Sequence, residues 1–351
     1  MTVRQGGRVG SVHPAHERSP GLYPTNSPDA CLDAAEGVRF APMFATLAGT
    51  YPRPVDLQPA DALRAVLCAQ ADAGLGLVSD GMIHDSDDAS ALVEAWVVAR
   101  EAALAEGIEQ PVKLAVLGPW ARSFGTAGNA DSAGTLPGTT AARSAAARLA
   151  TALAAAVAAG CPVVEVHEPV GTLPSGPGAG AGFASAHRVL LAGLPGDVHA
   201  TLAITGGDAE ALGADAVFAA PYRSHLFDLI AGPDGWRTIA RAPGDRGIIV
   251  GVVDATGLRP PGLEEVVWAA GYAASLGGRG MARVGLAPSG DLTSLDPARA
   301  RELIDLLGEA ARLLVGDPEV LLRRFDPRAV DPRSAALGEY RPERRARPGG
   351  R

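Results

Sequence analysis

The chain has 351 residues, 47% of them hydrophobic and 20% charged, enough apolar material for one large core or two ordinary ones. A net charge of −8 with an isoelectric point near 5.4 excludes the basic footprint of a nucleic-acid-binding protein, and no apolar run reaches the length that spans a bilayer. The cysteines Cys31, Cys68 and Cys161 are odd in number and widely separated, which excludes a disulfide framework or a clustered cysteine metal site.

In chain order, residues 1–36 are rich in Gly, Pro, Ser and Arg without periodicity, and a flexible leader is expected there. Arg4 and Arg8 are not followed by an apolar stretch, so no secretory signal is expected and the location is read as cytoplasmic. Strand-like runs then alternate with helical patterns. Strands are expected at 42–48, 75–79, 112–117, 162–166, 197–203, 215–219, 247–253 and 282–287. Helices are expected at 59–73, 89–106, 139–159, 182–192, 208–212, 224–240 (broken), 262–276 and 297–315. Gly74, Gly160, Gly196 and Gly213 stand where helices turn into strands, as left-handed helix ends require. Strands each followed by a helix predict an α/β fold, a single (β/α)8 TIM barrel over 37–316. The near-continuous apolar strands fit a parallel sheet covered on both faces. Two long Gly- and Ser-rich loops, 122–138 and 171–182, are expected at the catalytic face. Residues 317–351 form an Arg- and Pro-rich tail, with 320–325 as its one stretch able to pack.

Such a barrel assembles its site at the C-terminal ends of the strands. The expected first strand ends in Gly49-Thr50-Tyr51-Pro52-Arg53, and the second in Asp80-Gly81 followed by His84, Asp85, Asp87 and Asp88. The third ends in Gly118-Pro119-Trp120 and the fourth in His167-Glu168, while the fifth runs through His199 and Thr201 to Thr205. Pro221-Tyr222-Arg223 follow the sixth, Asp254 ends the seventh, and Ser289-Gly290-Asp291 follow the eighth. Carboxylates, imidazoles and an arginine on one rim suit a polar small-molecule substrate and general acid–base chemistry. His167, Glu168, Asp254 and His199 are the candidate catalytic residues. Each also has a structural reading: a buried hydrogen bond for Glu168, a loop cap for Asp254, a buried structural imidazole for His199. Alternation puts Glu165 and His167 on one face with Val166 opposite, so this charged pair needs partners. Asp87 or Asp88 can cap the following helix, and His13, His16, His187 and His225 read as incidental.

These strand ends resemble, in order, the C-terminal catalytic barrel of cobalamin-independent methionine synthase. The likeness rests on Gly49-Thr50-Tyr51-Pro52-Arg53, Asp80-Gly81-Met82 with Asp87, Gly118-Pro119, Ala159-Gly160-Cys161 leading to His167-Glu168-Pro169, and Gly251-Val252-Val253-Asp254 with Arg259. It spans roughly residues 40–315 and is to the short, single-barrel form. It implies a methyltransferase of methionine biosynthesis, moving a methyl group from a folate-type donor (methyl-tetrahydrofolate) to a small thiol or other nucleophile. It also implies substrate-binding roles for Gly49, Thr50, Arg53, Asp87, Gly118 and Arg259. In that family zinc is held by a His-x-Cys pair on the fifth strand, a glutamate after the sixth and a cysteine after the eighth, and it keeps the acceptor as a thiolate. The matching positions here are Thr201, Ala203, Ala220 and Gly290, a set that cannot hold zinc; no metal is expected. Met82 and His167 stand where the family has a glutamate and an aspartate. His167 or His199 would then serve as a general base in place of the metal. Two other readings use the same residues: a metal-independent lyase or decarboxylase, as in the related uroporphyrinogen decarboxylase barrels, or a non-catalytic ligand-binding descendant. The expected partner is a small-molecule substrate, with no nucleic acid and no membrane; the sequence assigns no oligomeric state.

Overall fold

A computed structural model describes residues 43–82, 86, 88–127, 138–259 and 261–326. Within them seven strands, β1 (Phe44–Ala45), β2 (Leu114–Leu117), β3 (Val163–Pro169), β4 (His199–Thr205), β5 (Ser224–Asp228), β6 (Gly247–Val253) and β7 (Val284–Pro288), form one curled, all-parallel sheet in the order β1-β7-β6-β5-β4-β3-β2. Helices α1 (Pro59–Ala73), α2 (Ala89–Ala105), α3 (Pro119–Ala127), α4 (Thr139–Ala158), α5 (Ala179–Leu191), α6 (Ala214–Val217), α7 (Gly235–Ala240), α8 (Leu263–Ser275), α9 (Pro297–Val315) and α10 (Pro318–Arg324) alternate with the strands and cover the outer face. The fold is α/β and TIM-barrel-like.

The helix boundaries follow local chemistry. Asp88 caps α2 by accepting from the Ser90 and Ala91 amides, and Asp296 caps α9 ahead of Pro297 at its first turn. Gly74, at φ +84°, ends α1 in the left-handed conformation.

The expected second strand at 75–79 is reduced to one parallel bridge, Val78 with Val112. Its backbone still bonds both neighbouring edges: Gly76 N donates to Ala45 O at 3.0 Å and Val78 N to Pro111 O at 3.1 Å. Side chains supply the rest. The fully buried Gln70 amide donates to Ser79 O at 2.7 Å and accepts from Ser79 N at 2.9 Å, and Thr46 Oγ1 donates to Leu77 O at 3.1 Å. Buried backbone groups must be paired, and here a glutamine from α1 stands in for ladder bonds.

A second difference concerns 215–219, expected as a strand: Ala214–Val217 is the single helical turn α6. The strand is β5, inside the stretch expected as a broken helix. Leu226 of β5 joins the inner apolar layer and Phe227 the outer core, so Ser224, Leu226 and Asp228 share the inner face. Polar residues at both ends of the inner face break the apolar run by which a parallel strand is recognised. The loop expected at 122–138 is partly helix α3, and its residues 128–137 lie outside the described part, as do 1–42 and 327–351. In the expected tail, α10 packs through Leu321, and Asp326 N donates to Glu264 Oε1 at 2.8 Å. No helix among the described residues is long and apolar enough to cross a membrane.

The main core lies between sheet and helices. The inner face carries only a small apolar layer, Ala48, Ala203, Leu226, Ile249 and Ala287, with Phe44 against it. Where α9 crosses α1, a Cβ on Gly308 would stand 1.8 Å from Ala73 O. Gly308→Ala is therefore expected to cost about 1–3 kcal/mol through forced separation of the two helices. Gly271→Ala in α8, where the Cβ meets nothing within 4 Å, should gain up to about 1 kcal/mol from reduced backbone freedom. Urea unfolding midpoints of the two variants check both signs.

Candidate active site

Alternation along β3 sends Glu165 and His167 to the inner face, and Val164, Val166 and Glu168 to the helix side. On the inner face Lys113, at the entry to β2, donates from Nζ to Glu165 Oε2 at 2.6 Å and to Leu47 O at 2.8 Å. The other Glu165 oxygen meets His167 Nε2 at 2.5 Å. All three side chains are buried. Burial alone would raise the Glu165 carboxyl, but Lys113 and then His167 outweigh it and hold it at about 2. Burial lowers the Lys113 ammonium, and Glu165 opposes that. The far edge of the His167 ring lies against the turn after β1: a Cβ on Gly49 would sit 3.3 Å from Cε1, 3.4 Å from Nδ1 and 3.7 Å from Asp291 Cβ. Gly49 has φ +75°, so both its conformation and its neighbours favour glycine. Thr50 follows, its hydroxyl buried and without a partner among the described residues, while its carbonyl accepts from Leu292 N at 3.0 Å. A line of charge thus runs from the sheet interior to a turn at the C-terminal rim.

Glu168 is not on that line. Its carboxylate accepts from the Trp120 and Ala121 amides at 3.0 Å each, capping α3 from a neighbouring strand. His187 Nε2 of α5 lies 3.3 Å from Oε1, and its Nδ1 is 2.7 Å from the Tyr222 hydroxyl. The pairing of His167 with Glu168 at one rim is corrected accordingly: the two face opposite sides of the sheet. Gly118 serves the same cap, since a Cβ there would fall 2.3 Å from Glu168 Oε1.

The remaining strand ends are occupied by loop-holding bonds. Asp254 accepts from Thr256 N at 2.9 Å, Thr256 Oγ1 at 2.7 Å and Arg259 N at 2.9 Å. Asp228 accepts from the Gly206, Ile230 and Ala231 amides at 3.0, 2.9 and 2.8 Å. Burial raises the Asp228 carboxyl, its three amide donors pull it down, and Asp254 adds to the rise. His199 is the first residue of β4 and therefore sits at the opposite, N-terminal end of the sheet, 2.9 Å from Ser224 Oγ. There it lines a cavity of about 380 Å³ with Arg223 and Arg246. It is not brought together with His167 and Asp254, because β4 starts two residues later than its apolar run suggested. Arg53 and Arg259 are exposed at the rim, and Asp87, with His84 and Asp85, lies outside the described residues.

The positions matched to the zinc ligands also move. Thr201 bonds Ser224 Oγ at 2.8 Å within the sheet, and Ala203 belongs to the inner apolar layer. Ala220 precedes β5, so the residue ending that strand is Asp228. Gly290 lies close to Thr205 and Ala255. Thr205, Asp228 and Gly290 offer no imidazole and no thiolate, and the Asp228 oxygens are taken by amides, so the donor set does not fit zinc. Among the described residues the one group of three potential ligands within reach of one ion is Asp208, Glu210 and Asp234, all carboxylates and mostly exposed. Lys113 and Asp228 were not singled out from the sequence. The signal for the first was its being the sole lysine, directly before an apolar strand; the second was hidden by the misplaced strand.

The fold is shared with solved methyltransferase barrels. A B12-independent methionine synthase from Shewanella sp. W3-18-1, in complex with selenomethionine, superposes with a TM-score of 0.60 at 16% identity, over 80% of this chain and 99% of that one. A candidate vitamin-B12 independent methionine synthase from Listeria monocytogenes gives 0.59 at 14%, over 80% and 100%. A methyltransferase from Methanosarcina mazei gives 0.52 at 15%, over 80% and 95%. No family model and no curated protein matches the chain. At these identities the likeness shows the fold alone, a TIM-barrel-like α/β architecture.

Two predictions follow from the site's electrostatics. Burial, then Arg223, lowers His199 from 6.5 to about 4, and burial, then Arg246, lowers His225 from 6.5 to about 3. Both rings are neutral in the fold, so the unfolded chain takes up their protons first. Their contribution is complete above pH 6.5 and is lost as pH falls to about 4 and about 3. Glu165 adds a loss between 4.5 and about 2. The melting temperature should fall from pH 6.5 downward, and His225→Phe, which keeps the stack on Phe227, should flatten that slope. Separately, Glu168→Ala should cost about 3 kcal/mol by orphaning one buried and one half-buried amide, read as a lower urea midpoint at unchanged m-value.

Proposed function

We propose that the chain is a methyltransferase of the cobalamin-independent methionine synthase type, acting on a small thiol or other protic nucleophile without the zinc–thiolate route. The observation that carries the proposal is the buried Lys113–Glu165–His167 line ending at the Gly49–Thr50 turn. An acceptor bound against that turn gives its proton to His167. The freed lone pair attacks the methyl carbon of a folate-type donor such as methyl-tetrahydrofolate. The donor's C–N bond breaks with its electron pair left on nitrogen, and that nitrogen recovers the proton from His167. Methyl and proton have then exchanged places, with no oxidant or reductant involved.

The unpartnered Thr50 hydroxyl supports a polar contact to the acceptor, and exposed Arg53 and Arg259 suit the carboxylates of a folate-type donor. Asp254 acts through the loop it holds. A second reading, ligand binding without turnover, draws support from the commitment of Glu168, Asp228 and Asp254 to backbone amides.

The test incubates the full chain with methyl-labelled methyl-tetrahydrofolate and a panel of thiols, amines and hydroxy compounds, homocysteine among them, with and without added zinc. Transfer to one acceptor class is expected, with no zinc requirement and no stoichiometric zinc retained. His167→Asn should lower turnover by about 10²–10⁴-fold. Binding of the donor with no transfer to any acceptor would favour the second reading, and substrate breakdown without donor consumption would point to a lyase.

A further inference from the structure

The sole lysine among 31 basic residues is also one of the most deeply buried side chains in the molecule. A charge in that position is costly unless it is paired, and arginine serves everywhere else. Lys113 Nζ has two acceptors, Glu165 Oε2 and Leu47 O. An ammonium group can only donate, so this oxygen of Glu165 is fixed as an acceptor. The second Glu165 oxygen, ionised for the same reason, can likewise only accept, and the group it faces is His167 Nε2. Nε2 must therefore carry a hydrogen.

We infer that Lys113 and Glu165 are positioning residues that hold His167 as the Nε2–H tautomer, leaving Nδ1, beside the Gly49–Thr50 turn, as the proton-accepting atom. This rests on the reading of His167 as a base and adds to it the reacting atom and the origin of its orientation. The ring cannot turn over without breaking the bond to Glu165, and Gly49 closes on its Cε1–Nδ1 edge. Among the described residues no side chain bonds Nδ1. The charged groups around it are Glu165 on its own strand, Lys113 from the entry to β2, and Asp291 from the loop after β7. Asp228 and Asp254, on the strand ends beyond, are held by their own amide and hydroxyl donors. An acceptor that loses its proton at Nδ1 presents an X–H group against the Gly49 backbone, as a thiol, hydroxyl or amine does.

The test reads the tautomer directly in the full chain, by long-range proton–nitrogen spectra of ¹⁵N-histidine-labelled protein above neutral pH, with the His167 signals assigned by their loss in His167→Asn. Wild type is expected to show a protonated Nε2 and a bare Nδ1. In Glu165→Gln, Lys113 still requires the amide oxygen, so the amide NH2 is turned toward His167. It then donates to Nε2, the tautomer inverts to Nδ1–H, and turnover falls by about 10²-fold or more. In the double variant Lys113→Met/Glu165→Gln the amide is free to turn back, and Nε2–H with part of the turnover should return. A protonated Nδ1 in wild type overturns the inference whether or not either variant folds, and so does an unchanged tautomer in Glu165→Gln. Inversion of the tautomer in a protein that transfers no methyl group would leave the positioning intact and remove the base reading. Loss of turnover in His167→Asn with no response of the tautomer to Glu165→Gln would do the reverse.

Discussion

The contact between Lys113 and Glu165 in the interior of the curled sheet constrains much of the molecule. Two opposite charges at 2.6 Å, with essentially no water access, are stable only if every remaining polar atom is also paired. The pairing recruits Leu47 from the extended chain after β1 on one side and His167 from β3 on the other. The two edges of the sheet, β1 on one side and β2 with β3 on the other, are thereby tied together across the place where regular ladder bonding is weakest, around 75–79, where Gln70 and Thr46 complete the seam. One ion pair links the closure of the sheet to the orientation of an imidazole at its rim.

The rest of the rim obeys a different economy. Asp228 and Asp254 sit at strand ends where a barrel enzyme keeps reactive groups, yet each carboxylate is filled by three donors from its own or a neighbouring loop. Glu168 spends its charge on the first turn of α3. Carboxylates bonded this way fix loops, and their oxygens are already occupied by donors of the protein. His167 differs because one ring edge is bonded to Glu165 and, among the described residues, no side chain bonds the other, the asymmetry that the proposed role as base would use.

The alternation of strand and helix, the helix cap at Asp88, the glycine end of α1 and the shared face of Glu165 and His167 were legible in the sequence, since each depends on residues close in the chain. The assignment of 215–219 as a strand failed because a four-residue apolar segment has no period long enough to separate a helical turn from a strand. The true strand was masked by Ser224, His225 and Asp228: partners across the sheet and in adjoining loops satisfy Ser224 and Asp228, and the His225 ring stacks on Phe227.

The sequence by itself determined an α/β chain with parallel strands and the polar strand ends from which a site would be built, because composition, periodicity and residue identity are local properties. Tertiary structure alone decided which of those polar groups face one another. It turned Glu168 away from His167, moved His199 to the opposite end of the sheet, put Asp228 in place of Ala220, and joined Lys113 to Glu165 across 52 residues of chain. Register and sheet curvature set those relations, and a shift of one residue in a strand reverses the face of every side chain on it.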